Sequence, residues 1–424
     1  MQTINRQTDS ETVCLKQIRV TPTEMGSRID YEYSAPELLN RYIKEDYLQR
    51  NEGLFVEVPG DASGIPEAVL AIPFVGVMLT VSVVLGYQID VPSIEKSFFD
   101  SLKNITGAYE EMFPGKGLRV SVNAQQICEV DYKSNEDKTG LLFTGGVDAT
   151  AALAVTRNKH PLLINIWGGD IRLTDQDSHE QLQAYFDRLT DSIGERYCFI
   201  KTNAREMFEE NELGTKCEML GHRNNHGWWA SIAHILSMAS TAAPLVYAEG
   251  IRTIFIGSSW DGSTTDSNNE LFVKAICYGE TRFEIVDEYV DRNEKIGKII
   301  KFRNDTAAPI ELKVCWRRTA GKNCCKCEKC YRTIMGIICN HGDPNEFGFE
   351  TNDETIQSIR SFLRRKNVNL GFWGPIVKTF KNEESFWKEN KSISWILRIK
   401  LNSPFVYFNV FKERLKQLVD KALK

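Results

Sequence analysis

From Leu141 onward, short apolar runs alternate with stretches of helical periodicity. "LLF", "PLLINIW", "YCFIKTN" and "TIFIGSS" are too short for helices and end in polar or glycine residues, which predicts strands. Between them apolar positions recur at helical spacing, most clearly from Trp228 to Glu249. Strands separated by helices need right-handed crossovers, and these build a parallel, doubly wound sheet. Before Leu141 the pattern is mixed. "GLFVEVPG" and "LRVSVNA" predict strands, "PSIEKSFFDSLKNITGAYEEMF" predicts an amphipathic helix, and the polar "DYKSNEDKTG" predicts a linker. After about Phe349 the chain reads as helical, aromatic and basic. The expected fold class is α/β, with an α+β domain over 1–137, a doubly wound core over 138–345 and a helical basic segment over 346–424.

One run tests whether the chain is soluble. "AVLAIPFVGVMLTVSVVLGY", Ala68 to Tyr87, has no charge over a length that matches a membrane span of about twenty residues. Pro73, two internal glycines and acidic flanks at Glu67 and Asp90, with no basic flank, argue instead for a buried helix followed by a strand. The polar N-terminus lacks the apolar core of a secretory signal, so the expectation is a cytoplasmic protein with no membrane contact, whose eleven cysteines serve metal binding, catalysis or packing. A composition of 42% hydrophobic and 26% charged residues excludes a disordered chain. Charge is uneven. From Ile356 to the end there are fifteen Lys or Arg against five Asp or Glu, a net +10 in a chain of −5, so residues 1–355 carry −15. Such a tail faces nucleic acid or an acidic partner, or docks on its own acidic body.

Two motifs carry chemistry. In "LLFTGGVDATAAL", Gly145 and Gly146 allow a sharp turn that brings backbone N–H groups toward an anion, with Thr144 and Thr150 as hydroxyl donors and a helix starting near Ala149. Val147 lies within the same turn. Asp148 stands out, because a carboxylate beside phosphates is repulsive unless Mg²⁺ lies between them. Asp170, in "WGGDI", either reaches an adenosine or caps the next turn. In "VCWRRTAGKNCCKCEKCYRT", Cys315, Cys324, Cys327 and Cys330 have the C-x8-C-x2-C-x2-C spacing of a closed, structural Zn²⁺ site, and Cys325 is left out because it would shorten one knuckle.

The loop resembles the Ser-Gly-Gly-x-Asp-Ser-Thr signature of the PP-loop ATP pyrophosphatases, a HUP-type fold, with Thr144 for the first Ser and Ala149 for the Ser after Asp148. Loop and cysteines, in this order and about 170 residues apart, resemble the 7-cyano-7-deazaguanine synthase (QueC) family over residues 139 to 340. "HRNNHGWWASIAHILSMA" stands where that family has an Arg-Asn before a long helix, and "IGSSWDGSTTDSNNELF" where it has an acidic loop closing on Glu-x-Phe. The resemblance implies that ATP is cleaved to AMP and pyrophosphate to activate a carboxylate, 7-carboxy-7-deazaguanine, for attack by an amine. It assigns phosphate binding to Thr144, Gly145, Gly146 and Thr150, and metal or phosphate positioning to Asp148. Arg223 and Asn224 become candidates to contact the acyl-adenylate, and Asp261, Asp266 and Glu270 to overhang the site. The bland reading makes His222, His226 and Trp228 a packing cluster and the Trp228–Trp229 pair core.

The N-terminal region and tail go beyond an ordinary QueC. The layout is similar to QueC-like proteins of phage-defence operons, which implies an amine on a protein partner. The alternatives are the synthase proper, a PP-loop tRNA-modifying enzyme whose tail holds RNA, and a non-catalytic nucleotide-sensing subunit, which Ala149 keeps open.

Overall fold

The computed structural model describes residues 4–5, 12–219, 227–259, 267–315, 321–404 and 407. Twelve strands join in one sheet: β1 (Ile4–Asn5), β2 (Thr12–Pro22), β3 (Gly26–Ser34), β4 (Phe55–Pro59), β5 (Gln88–Glu95), β6 (Val122–Cys128), β7 (Asn135–Leu142), β8 (Leu162–Trp167), β9 (Tyr197–Thr202), β10 (Ile251–Gly257), β11 (Cys277–Tyr278) and β12 (Thr281–Val286). The spatial order is β11-β12-β10-β7-β8-β9-β4-β3-β2-β5-β6, with β1 beside β3. From β12 to β9 every pairing is parallel. The chain runs from β7 outward through β8 and β9, then returns to place β10 on the other side of β7. The order therefore reverses at β7, and in an open sheet that point leaves a crevice beyond the strands' carboxyl ends.

β8, most of β10 and the second half of β7 are buried because both sheet faces are covered there. In register, Leu142, Ile164 and Ile256 point into one core, while Leu141, Leu163 and Phe255 point into the other. The first core is closed by helices Glu67–Leu85, Lys96–Met112, His234–Thr241 and Ala243–Glu249. The second is closed by Val147–Thr156, Gln176–Ile193, Arg292–Thr306 and Glu328–Cys339, with Asp353–Arg365 and Leu370–Asn382 of the basic tail packed on the same side.

The uncharged run at 68–87 is the centre of the first core. It forms helix Glu67–Leu85, buried from Ala68 to Val83, and β5 follows it, as the sequence predicts. A helix that is apolar all round has no face to show to water, so it is enclosed. Trp229–Glu249 is likewise long and apolar enough to cross a membrane, and the apolar windows of both helices are 89% buried inside the protein. Gly76 lets the 67–85 helix touch 234–241, since a Cβ there would overlap the Ser240 side chain.

Three sequence expectations need correction. The stretch 131–140 is not a linker: β7 begins at Asn135, so the boundary expected near 137 falls inside a core strand. Its polar residues occur because the first half of β7 is exposed, with burial starting at Thr139. The "LRVSVNA" strand shifts to Val122–Cys128. Nor does residues 1–137 have a sheet of its own, because β4 pairs antiparallel with β9 through Val56–Thr202 and Glu57–Lys201. The Asn203 side chain ties the same junction, accepting from Phe55 N–H at 2.9 Å and donating to Gly53 O at 2.8 Å.

Candidate functional site

β7 ends at Leu142, and Phe143 still donates its N–H to Ile164 O at 2.8 Å. The chain then reverses at Gly145, whose φ of +74° is the left-handed conformation that glycine adopts without strain. Gly145 O accepts the Lys313 N–H at 2.8 Å, fixing the turn to a distant segment. Gly146 is the extended N-cap of helix Val147–Thr156, and no side-chain hydrogen bond caps that helix. Gly146, Val147, Asp148 and Ala149 line a cavity of about 470 Å³, a size ordinary for small-molecule sites. It lies at the strand reversal, bounded by Leu142 at the end of β7 and by Ile256 and Gly257 at the end of β10. A Cβ on Gly257 would overlap the Asp148 carbonyl, so β10 touches the loop only because that residue is glycine.

The structure treats the loop's side chains unequally. Thr144 lines the cavity, its hydroxyl accepting the Gly146 N–H at 3.4 Å. Thr150 does not line it. One turn beyond Gly146, its side chain faces inward, and the hydroxyl is buried without a hydrogen-bond partner. Asp170 lines the cavity and pairs with Arg205 at 3.8 Å.

Asp148 is held by the chain's own cations. Its carboxylate meets Arg292 Nη1 at 2.8 Å and Lys295 Nζ at 3.6 Å. These cations are neighbours on one face of helix Arg292–Thr306, whose N-terminus is capped by Asp291. Lys295 is 1% exposed and also donates to Ser258 O at 2.6 Å. Burial alone would push the Asp148 carboxyl up, but Arg292, then Lys295 and Lys329, outweigh it and hold the group below its ordinary value. Burial likewise lowers the ammonium of Lys295 against the pull of Asp148. The expectation that Asp148 implies Mg²⁺ loses its premise, since positive charge is already beside the carboxylate. Asp175, another acidic group on the wall, is occupied as the N-cap of Gln176–Ile193. Asp170, the third acid on the wall, pairs with Arg205 at 3.8 Å, so each carboxylate among the described lining residues already has a partner and the set does not fit a Mg²⁺ site as it stands.

The four cysteines come together as the sequence predicts. All four sulfurs lie within 4.8 Å of one another, with Cys327–Cys330 at 3.4 Å, Cys324–Cys330 at 3.9 Å and Cys315–Cys327 at 4.0 Å. Tetrahedral Zn–S bonds of about 2.3 Å place sulfurs roughly 3.8 Å apart, so the set can hold a metal such as zinc. Backbone N–H groups of Cys324 and Lys326 point at Cys315 Sγ and Cys324 Sγ, both at 3.4 Å. Cys325, at φ +50°, turns its thiol toward Asn323 O at 3.7 Å and stays outside the cluster.

Cluster and cavity share a wall. Cys315, Lys322 and Lys329 all line the cavity, and Lys329 stands in the chain between Cys327 and Cys330 of the cluster. Sequence reasoning missed this basic wall of Arg205, Arg292, Lys313, Lys322 and Lys329. The available signals were Arg292 and Lys295 one helical turn apart behind an Asp N-cap, and a lysine inside the last cysteine knuckle. Arg223, Asn224, His222, His226, Asp261 and Asp266 lie outside the described residues. Glu270 does not line the cavity; it begins the helix Glu270–Ala275, and its N–H is accepted by Glu288 at 2.9 Å. Trp228 and Trp229 are core, with the Trp228 indole donating to Thr80 O at 2.8 Å. No protein-family model matches the chain, and no curated protein matches it.

Proposed function

We propose that this cavity binds ATP and activates a carboxylate by adenylation, for transfer to an amine. One observation carries the reading. An uncapped helix N-terminus, reached through the Gly145–Gly146 turn, opens on a cavity at the strand reversal whose wall is rich in cations. Backbone N–H groups there suit phosphate oxygens, while Arg292 and Lys329 suit the charge that develops on a departing pyrophosphate. Leu142, Ile235, Met238 and Ile256 supply the apolar wall for a flat base.

In the proposed reaction a carboxylate oxygen attacks the α-phosphorus, the bond to the β-phosphate's bridging oxygen breaks, and pyrophosphate leaves. An amine nitrogen then attacks the acyl carbon, AMP departs with the bonding pair, and the nitrogen loses a proton. The four-cysteine cluster, with no position left for water, acts structurally and holds Lys322 and Lys329 on the wall. The resemblance to QueC supports 7-carboxy-7-deazaguanine as the acid, and the added N-terminal region and tail support a protein amine as acceptor, within a defence system. Intact mass spectrometry of a co-expressed partner tests this: a deazaguanine adduct at the partner's N-terminus is expected, and an unmodified partner beside free nitrile or amide product points to the synthase proper.

The ion pairs of Asp148 favour one second reading, a nucleotide-binding subunit that does not turn ATP over. ATP bound with no AMP formed, whatever acid is offered, selects it.

A further inference from the structure

The basic tail is not spread evenly over the surface. Arg360 and Arg364, on helix Asp353–Arg365, converge with Lys388, Lys391, Arg398 and Lys400 on a second cavity of about 800 Å³. Glu384 is the one carboxylate among its described lining residues, and it already pairs with Lys388 at 2.8 Å. Arg360, Arg364, Lys391, Arg398 and Lys400 thus face the same space, and among the described lining residues the one carboxylate, held by Lys388 and felt also by Arg398, leaves a large excess of positive charge. Docking on the chain's own acidic body, one of the two sequence readings of the tail, does not account for this cluster. Arg360 adds an internal sign: its Nε is buried with no hydrogen-bond partner, a state that costs free energy until an acceptor arrives. Its guanidinium lies 6.0 Å from the Trp395 ring, and the indole N–H of Trp395 is fixed on Ser392 O at 2.8 Å.

We propose that this cavity binds a single strand of nucleic acid, with phosphates on the cations and a base against Trp395. Cations tracking a backbone beside an aromatic face are the physical requirements of single-strand binding. Arg360 and Arg364 stand one turn apart, about 6 Å along the helix, which suits consecutive phosphates of one strand. A concave site of this size admits a nucleotide or two, whereas a duplex needs an open face. An acidic peptide would satisfy the cations but would bring no flat base to stack on the part of the Trp395 ring that the core and Arg360 leave uncovered. The −15 carried by residues 1–355 repels nucleic acid elsewhere and directs it to this end. The proposal is independent of the adenylation reading, because the two cavities have no lining residue in common.

The test is fluorescence anisotropy of a labelled single-stranded RNA of about twelve nucleotides with the full chain. Arg364→Glu/Lys391→Glu alters two exposed side chains on the cavity wall, and Lys378→Glu/Lys381→Glu makes the same charge change at exposed positions off it. The first variant is expected to bind at least about tenfold more weakly and to flatten the salt dependence by roughly 0.7 log units per lost phosphate contact. The second is expected to bind within about twofold of the wild type, and saturating ATP to leave the RNA in place. Equal losses in both variants, displacement by ATP, absence of RNA binding, or preferential binding of poly-glutamate would each overturn the proposal.

Discussion

Asp148 shows how a single residue can be recognised in sequence while its partners stay hidden. Its position after Gly145-Gly146 marks the loop, but its partners come from a helix 144 residues further on, and no local spacing announces them. Thr150 differs for a simpler reason: helix geometry turns it inward, and a motif match contains no direction. Asp148→Asn removes the counter-charge of Lys295 while leaving the shape. We expect it to destabilise the protein by less than the roughly 3–5 kcal/mol of a fully buried pair, because 23% of the Asp148 side chain remains exposed. The pH dependence has a definite sign. Since the folded carboxyl is held below its ordinary value, its contribution is complete above about pH 4 and is lost as pH falls through the folded value. Urea denaturation from pH 5 downward should show a shallower loss in Asp148→Asn than in the wild type, and parallel curves would contradict the assignment.

Elements were legible where one periodicity dominated. The strands from β7 to β10 and the buried 67–85 helix follow from short apolar runs and an uncharged stretch. β7 was cut short because its first half is exposed and polar, and short β11 carries too little pattern to be seen. The cysteine cluster was fully legible, since thiolates at knuckle spacing have few other uses. Purified protein should carry about one zinc per chain. Cys327→Ser should release it and lower the melting temperature, as structural metal binding is part of the folding free energy, and metal analysis with thermal melts reads both. At the helix crossing, Gly76→Leu drives a side chain into Ser240 and should cost at least about 1–3 kcal/mol. Ser240→Ala alone should be mild, because it removes a buried hydroxyl with no hydrogen-bond partner.

Across the whole molecule, the sequence suggested separable parts and the structure joins them through β4 and β9. Composition shifts mark where a pattern changes, but they do not reveal which strand edges pair, so a continuous sheet was out of reach. The consequence is testable by deletion. A chain starting at residue 138 loses the 67–85 helix and exposes the face formed by Leu142, Ile164 and Ile256, so it should aggregate or give the heteronuclear NMR spectrum of a loosely packed state; a dispersed spectrum would show that the core folds alone. The chemistry of the cavity at the strand reversal can be read from the path of one oxygen atom. Full-length protein is incubated with ATP, an amine acceptor (ammonium or the co-expressed partner) and 7-carboxy-7-deazaguanine labelled with ¹⁸O in its carboxylate, and the AMP released on acyl transfer is analysed by mass spectrometry. Adenylation predicts pyrophosphate and AMP bearing one ¹⁸O from the acid; unlabelled AMP, or ADP and phosphate in its place, would contradict the account.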